Sequence, residues 1–343
     1  MRELAHCTEI AFASPVRKEE SGQFGIRRGV VNIARLVRET AQVRLGGTVL
    51  IFSSAGFSFW EKCLWSLVVR MMGRAVAVVM VAGDFPDYFA SLRPPLQALA
   101  RVLFRGGRFT IGAQSPTWRD YFRTTFPETH VECVSASVDR EFFEPHNGSA
   151  DPDVDIRVLY VGWITEAKGI LDLLDAIAIV AANSSQAFQL RLVGPILGGI
   201  QRWQTEVGMR GIGAITTLVG SVDHRADLLR EYRAADVFVF PSHFEGFPQA
   251  LVEAAAVGLP CIGTRVGGIP DILDNGRAGI IVSAHAPKEI AVALRTLLGD
   301  NEMRVALGKA LRQHALDEYS HETCATSYLQ LLGMQSQSTD ASR

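Results

Sequence analysis

The feature that most constrains this chain is alternation. Short runs rich in β-branched residues take turns with helical patterns from one end to the other. In the first half the predicted strands are Thr8–Ala13, Thr48–Ser53, Val76–Val81, Phe109–Gly112 and Val131–Ser135. Helical patterns fall between them at Val30–Val43, Trp60–Met72 and Leu96–Phe104. In the second half the strands are Arg157–Val161, Leu190–Val193, Thr217–Val219, Val237–Phe240, Cys261–Thr264 and Gly279–Val282. The clearest helix follows Gly169, with Ile170, Leu173, Leu174, Ile177 and Ala178 on one face. The strands lack polar alternation, so both faces of each sheet are expected to be covered. Strand–helix repetition of that kind predicts α/β architecture with parallel sheets wound by helices.

A chain of 343 residues suits two such domains rather than one core. The stretch 144–155 (EPHNGSADPDVD) is polar and rich in turn formers, which predicts a linker. The expected division is therefore 1–150, an N-terminal Rossmann-like domain, then 151–334, a C-terminal domain, then 335–343, a disordered tail. Ligands of open parallel sheets sit beyond the carboxyl ends of the strands, so the loops directly after each strand are the ones to inspect. Net charge is −2 with both signs dispersed, which excludes the basic stripe of a nucleic-acid binder. Five scattered cysteines with no C-x-x-C pair argue against a disulfide framework or a zinc site. The longest apolar run, Ala75–Ala82, is far short of the ~20 residues that cross a bilayer. The start lacks a signal-peptide pattern. The expected location is cytoplasmic, with peripheral contact at the inner face of a membrane left open.

The richest segment runs from Asp236 to Gly268, DVFVFPSHFEGFPQALVEAAAVGLPCIGTRVGG. A strand leads into the loop Pro241–Pro248. A helix is predicted to start near Pro248, where a missing N–H is harmless, and to stop at Gly258. Glu245 then lies in a strand-end loop and Glu253 in the helix. The helix N-terminus favours an anion, and carboxylates accept hydrogen bonds from paired hydroxyls of a sugar or ribose. Two glutamates flanking an anion-binding turn suit the two hydroxylated ends of a nucleotide sugar.

This string resembles the E-x7-E motif of retaining glycosyltransferase family four, P-S-x-x-E-G-F-x-x-x-x-x-E-A-x-x-x-G-x-P. The chain reads Pro241-Ser242-His243-Phe244-Glu245-Gly246-Phe247, then Glu253-Ala254, then Gly258-Leu259-Pro260. Gly267-Gly268-Ile269-Pro270-Asp271 resembles the family's G-G-x-x-E segment, with Asp in the acidic place. The resemblance implies a GT-B fold, two doubly wound Rossmann-like domains facing across a cleft, with 1–150 on the acceptor side and 151–334 binding the nucleotide sugar. It implies a hexosyltransferase that moves a sugar from a nucleotide-diphosphate donor to a glycan or lipid-linked acceptor. Glu245 would hold hydroxyls of the sugar, Glu253 the ribose, and the backbone of Gly246, Phe247 and Pro248 would line the sugar and diphosphate.

A second segment, Val158–Gly169 (VLYVGWITEAKG), ends in Lys168 at the start of a helix. It resembles the family's G-R-x-x-x-x-K-G stretch, in which the lysine would neutralise the departing diphosphate. It is one of five lysines among 34 basic residues. The family's basic residue after the glycine is replaced by Trp163, which is expected to pack in the core, and Arg265 is a candidate substitute. Near the N-terminus, Ser21–Gly29 resembles the family's glycine-rich first loop and makes Gly22 and Gly25 donor-side candidates. The loop after the third strand carries Asp84 where relatives have a histidine; a turn-forming role is expected. Ser137-Val138-Asp139 with Phe143 and Pro145 resembles the landmark that closes the first domain. His243 reads as a bystander of the motif.

No D-x-D follows a strand, so neither a catalytic metal nor a cofactor is expected. Two other readings remain. A nucleotide-sugar epimerase on the same fold would release free nucleotide, and a non-catalytic sugar-nucleotide-binding protein would bind without turnover. The segment from Trp60 to Met72, apolar with cationic ends, reads as a buried helix in preference to a membrane-surface one.

Overall fold

The computed structural model describes residues 36–81, 83–144, 155–183 and 186–334. The predicted strand Thr8–Ala13, the loop with Gly22 and Gly25, Pro145, most of the linker and the C-terminal tail lie outside the described residues. Within them the chain divides into two compact units, Met1–Ser135 together with Cys324–Arg343, and Ala136–Thr323.

The first unit holds a four-stranded parallel sheet in the order β1 (Thr48–Ser53), β2 (Ala75–Met80), β3 (Phe109–Ala113) and β4 (His130–Cys133). Each strand falls within two residues of its hydrophobic run, because a sheet covered on both faces draws in apolar residues without alternation. Helices α1 (Phe57–Met71), α2 (Phe85–Ser91), α3 (Pro94–Leu103) and α4 (Pro116–Thr125) connect them. Prolines open α2, α3 and α4, where the ring's fixed φ suits the first turn. Phe59, Phe85, Phe104, Phe109, Phe122 and Phe126 form a buried aromatic core. α1 buries Phe59, Cys63, Trp65, Ser66 and Val69, so it is a core helix, while Leu64, Leu67 and Met71 face outward. Asp84 precedes α2 as its N-cap residue, in keeping with a turn-forming place.

The second unit is a six-stranded parallel sheet. Its strands are β5 (Ile156–Val161), β6 (Phe188–Val193), β7 (Thr216–Gly220), β8 (Val237–Phe240), β9 (Cys261–Thr264) and β10 (Ile280–Val282), in the spatial order β10-β9-β8-β5-β6-β7. The first strand of the unit therefore pairs with β6 on one side and with β8 on the other. The winding direction reverses between β5 and β8. Doubly wound sheets bind ligands beyond the strand ends at such a reversal, so the loops that leave β5 and β8 are the ones to inspect. α5 (Ile170–Asn183) buries Ile170, Leu173, Leu174 and Ile177 as the periodicity predicts, with Ala178 partly buried against the same core. Helices α6 (Ile200–Met209), α7 (Arg225–Arg233), α8 (Gln249–Val257), α9 (Ile269–Ile272) and α10 (Pro287–Gly299) follow it in the unit.

α11 (Asn301–Tyr319) belongs to the second unit and α12 (His321–Leu331) largely to the first. Leu331 packs with Ala77, Val79 and Val134, and Thr48 Oγ1 donates to the Leu332 carbonyl at 3.1 Å. The division at 150/151 assigns everything up to residue 334 to the second domain; the contacts instead carry the chain's last helix back onto the first sheet. No periodicity within α12 could announce that choice, since its apolar face suits either sheet.

Candidate functional site

The site grows from three loops at the carboxyl ends of β5, β8 and β9. After β5 the chain passes Gly162 and Trp163 and makes a single 3-10 turn, Glu166–Lys168. Gly169 then starts α5 with φ +69°. A Cβ at Gly169 would stand 1.9 Å from the Pro241 carbonyl oxygen, so only glycine permits the approach. The His243 N–H donates to the Ala167 carbonyl at 3.1 Å. These two contacts lock the loop after β8 onto the loop after β5.

The lock brings the predicted pair together. Lys168 Nζ and Glu245 Oε1 are 2.5 Å apart, although 77 residues separate them in sequence. The Glu245 side chain retains 10% of its exposure and that of Lys168 28%. A pair this enclosed is stronger than a surface salt bridge, because little water screens it. Beneath it lies Tyr160, fully buried, whose hydroxyl donates to the Trp163 carbonyl at 2.9 Å. Burial pushes the Tyr160 phenol well above its ordinary range, and the negative charge of Glu245 adds to the effect. The phenol is a permanent neutral donor beside the pair.

The loop after β9 closes against the same place. Gly267 has φ +52°, and a Cβ there would lie 1.9 Å from the Glu245 carbonyl oxygen. The Gly268 N–H donates to the Gly246 carbonyl at 2.9 Å. Thr264 Oγ1 donates to the Ser242 carbonyl at 2.5 Å. The backbone at Glu245 is thus held by the loop after β9, and its carboxylate by Lys168. Phe247 stacks edge-on against Tyr319 with ring centroids 5.4 Å apart.

Glu253 sits in the second turn of α8 (Gln249–Val257). The helix starts one residue later than expected, with Pro248 as its N-cap, and stops at Gly258 in the left-handed region. Glu253 is half-buried, and the Tyr232 hydroxyl donates to its Oε2 at 3.0 Å. Burial raises the Glu253 carboxyl above its ordinary value. The Tyr232 hydrogen bond and the Arg225 cation pull it down, and Asp139 pushes it up. Arg225 itself pairs with Asp139, the aspartate of the predicted domain-closing landmark. Val138 of that landmark is buried, and its N–H donates to the Tyr319 carbonyl at 3.2 Å.

Two expectations need correction or extension. Trp163 does not pack in the core: it is 56% exposed. Tyr160 already fills the buried space under that turn, and its hydroxyl ties down the Trp163 backbone, leaving the indole outward. Arg265 is exposed on the loop after β9, and among the described residues its guanidinium makes no hydrogen bond or ion pair. Tyr160, Tyr232 and Arg225 carry no motif and were not legible, because their proximity to the two glutamates arises only when the strands are ordered. His243 is more than a bystander. Its Nε2 lies 2.7 Å from Asp172 Oδ2 and its ring 3.7 Å from the ring of His285.

With this geometry in place, the likeness to known proteins can be stated. The solved structure of sucrose-phosphate synthase from Thermosynechococcus elongatus matches with TM-score 0.70 and 22% identity, over 90% of this chain and 79% of that one. Anabaena HepE, solved in complex with UDP, matches with TM-score 0.71 and 17% identity, over 88% of this chain and 82% of that one. These matches establish the GT-B fold. Among curated relatives, D-inositol 3-phosphate glycosyltransferase of Corynebacterium kroppenstedtii is 35% identical over 163 residues, 46% of this chain and 36% of that protein. Glycogen synthase of Mycobacterium tuberculosis is 29% identical over 188 residues, 54% of this chain and 43% of that protein. The chain spans less than half the length of these curated relatives. The sequence profile of one family covers residues 142–314, half of the chain and every strand-end loop described above. The chain belongs to the family described as glycosyl transferases group 1.

Proposed function

We propose that the protein is a retaining glycosyltransferase that takes a sugar from a nucleotide-diphosphate donor. The observation that carries this reading is the meeting of Lys168 and Glu245 at the ends of β5 and β8, the strands between which the sheet reverses its winding. A phosphate and a polyhydroxylated ring need opposite partners within one ligand's length. An ammonium beside a carboxylate supplies both. On donor binding, Glu245 accepts from sugar hydroxyls and Lys168 turns to the diphosphate. Glu253 accepts from the ribose hydroxyls, and the backbone of Gly246, Phe247 and Pro248 lines the space between. The HepE complexes with UDP and UDP-glucose support the donor class.

In the reaction the bond from the anomeric carbon to the diphosphate oxygen breaks, and negative charge gathers on that oxygen. Lys168, fixed before the reaction, stabilises this charge without a reorganisation cost. The acceptor hydroxyl attacks the same face, gives its proton to the departing phosphate oxygen, and preserves the anomeric configuration. No protein nucleophile is required.

The acceptor is a glycan or a lipid-linked sugar. Among the described residues no helix is long and apolar enough to cross a membrane. Peripheral contact is read by vesicle flotation. The function is tested by incubating the protein with nucleotide-diphosphate sugars and an acceptor panel, then assigning the product anomer by NMR. Transfer with retained configuration is expected. Free nucleotide with an epimerised sugar, or binding without turnover, would overturn the reading.

A further inference from the structure

Beside the Lys168–Glu245 pair, and separate from it, three strand-end segments bring together Asp172, His243 and His285. Asp172 lies in the first turn of α5, His243 in the loop after β8, and His285 in the loop after β10. One ligand atom from each lies within 4.8 Å of the others. Asp172 Oδ2 and His243 Nε2 are 2.7 Å apart, and the two imidazole centroids 3.7 Å apart. In tetrahedral zinc sites the metal stands ~2.0–2.2 Å from such atoms, which puts ligand atoms about 3.3 Å from one another. Changes of up to about 1.5 Å in the separations bring the trio to that spacing.

His285 has φ +57°, in the left-handed region that favours glycine. Among the described residues it shares positive φ with Asp274 and Asn275, and histidine, aspartate and asparagine are the non-glycine types most often found there. The loop is fixed by the Ser283 N–H, which donates to Glu289 Oε2 at 2.7 Å. His285 is exposed while Asp172 and His243 are half-buried, so one face of the cluster stays open to water.

We propose that Asp172, His243 and His285 form a binding site for a divalent transition-metal ion of the zinc class. Two imidazoles and one carboxylate suit zinc, cobalt and nickel better than calcium or magnesium, which prefer all-oxygen shells. Water from the open face completes the coordination. The ion would tie the segments after β5, β8 and β10 together. This site does not rest on the donor reading, and its test does not use activity.

The full chain, stripped with a chelator, is titrated with zinc sulfate in competition with a chromophoric chelator, and its melting temperature is followed. One zinc equivalent per chain and a concentration-dependent rise in melting temperature are expected. Loss of a ligand exceeds the 10- to 100-fold penalty of losing an outer-shell partner, so His285→Gly and Asp172→Asn should each weaken binding by at least ~100-fold. His224→Ala, at an exposed histidine elsewhere, should leave it unchanged. His285→Gly places glycine where φ is positive, so the metal-free variant should melt no lower than the parent. A parent chain that fails to retain one zinc equivalent would overturn the proposal. So would retention of parental affinity by both His285→Gly and Asp172→Asn.

Discussion

Lys168 and Glu245 form one ion pair at 2.5 Å, and each closes a loop at the point where the second sheet reverses direction. Their partnership makes the effects of substitution non-additive. Lys168→Ala leaves a poorly solvated carboxylate alone, while Lys168→Ala with Glu245→Gln removes both charges. The single change should therefore lower the melting temperature more than the double change does. In the proposed reaction, Lys168→Ala should lower kcat by about 10² to 10³, as loss of one preorganised charge donor does elsewhere. Thermal melts and steady-state rates of the three proteins check both statements.

Glu253 links stability to pH. Burial holds its folded-state carboxyl above the ordinary value of 4.5, so the folded chain binds its proton more tightly than the unfolded chain does. The stability from that proton is fully present below pH 4.5 and is lost as pH rises through the raised folded value. Glu253→Gln removes the titration. The variant should gain stability relative to the parent as pH rises towards neutrality, and the gain should vanish in acid. The same substitution should weaken donor binding ~10- to 100-fold, the worth of hydrogen bonds to a charged acceptor. Denaturant melts across pH and calorimetric titration with donor separate the two effects.

Gly169 and Gly267 hold the site's backbone together. Alanine at Gly267 meets both a disfavoured φ and the Glu245 carbonyl 1.9 Å away, so it should destabilise by more than the ~1–2 kcal/mol of the conformation alone. Gly213→Ala is the control, because nothing lies within 4 Å of its added Cβ. It should stay within about 0.5 kcal/mol of the parent. Denaturant midpoints measure each.

Trp163 gives a test of burial. An exposed tryptophan truncated to alanine should shift stability by no more than ~0.5 kcal/mol, whereas a core tryptophan loses 3–5 kcal/mol. A large loss in Trp163→Ala would restore the core placement read from the sequence.

The strands were legible because a doubly covered sheet leaves uninterrupted β-branched runs, and β8 and β9 match their predicted limits residue for residue. The Lys168–Glu245 pair was legible through a resemblance that spans both loops. What remained hidden depends on strand order. Tyr232 reaches Glu253 across 21 residues, and Asp172 reaches His243 across 71, with no local pattern to mark either contact. Trp163 was misread for a related reason. Hydropathy places an indole inside, but Tyr160 had already taken the buried position under that turn.

Donor binding tests the central claim most directly. The full-length chain, Lys168→Ala and Glu253→Gln are each titrated with a panel of nucleotide-diphosphate sugars while the melting temperature is followed. One or more donors should raise the parent's melting temperature with concentration, and both variants should need at least about tenfold more of the same donor for an equal rise. If no donor raises the parent's melting temperature, or if both variants respond at parental concentrations, the convergence of these side chains on one nucleotide-sugar pocket is contradicted.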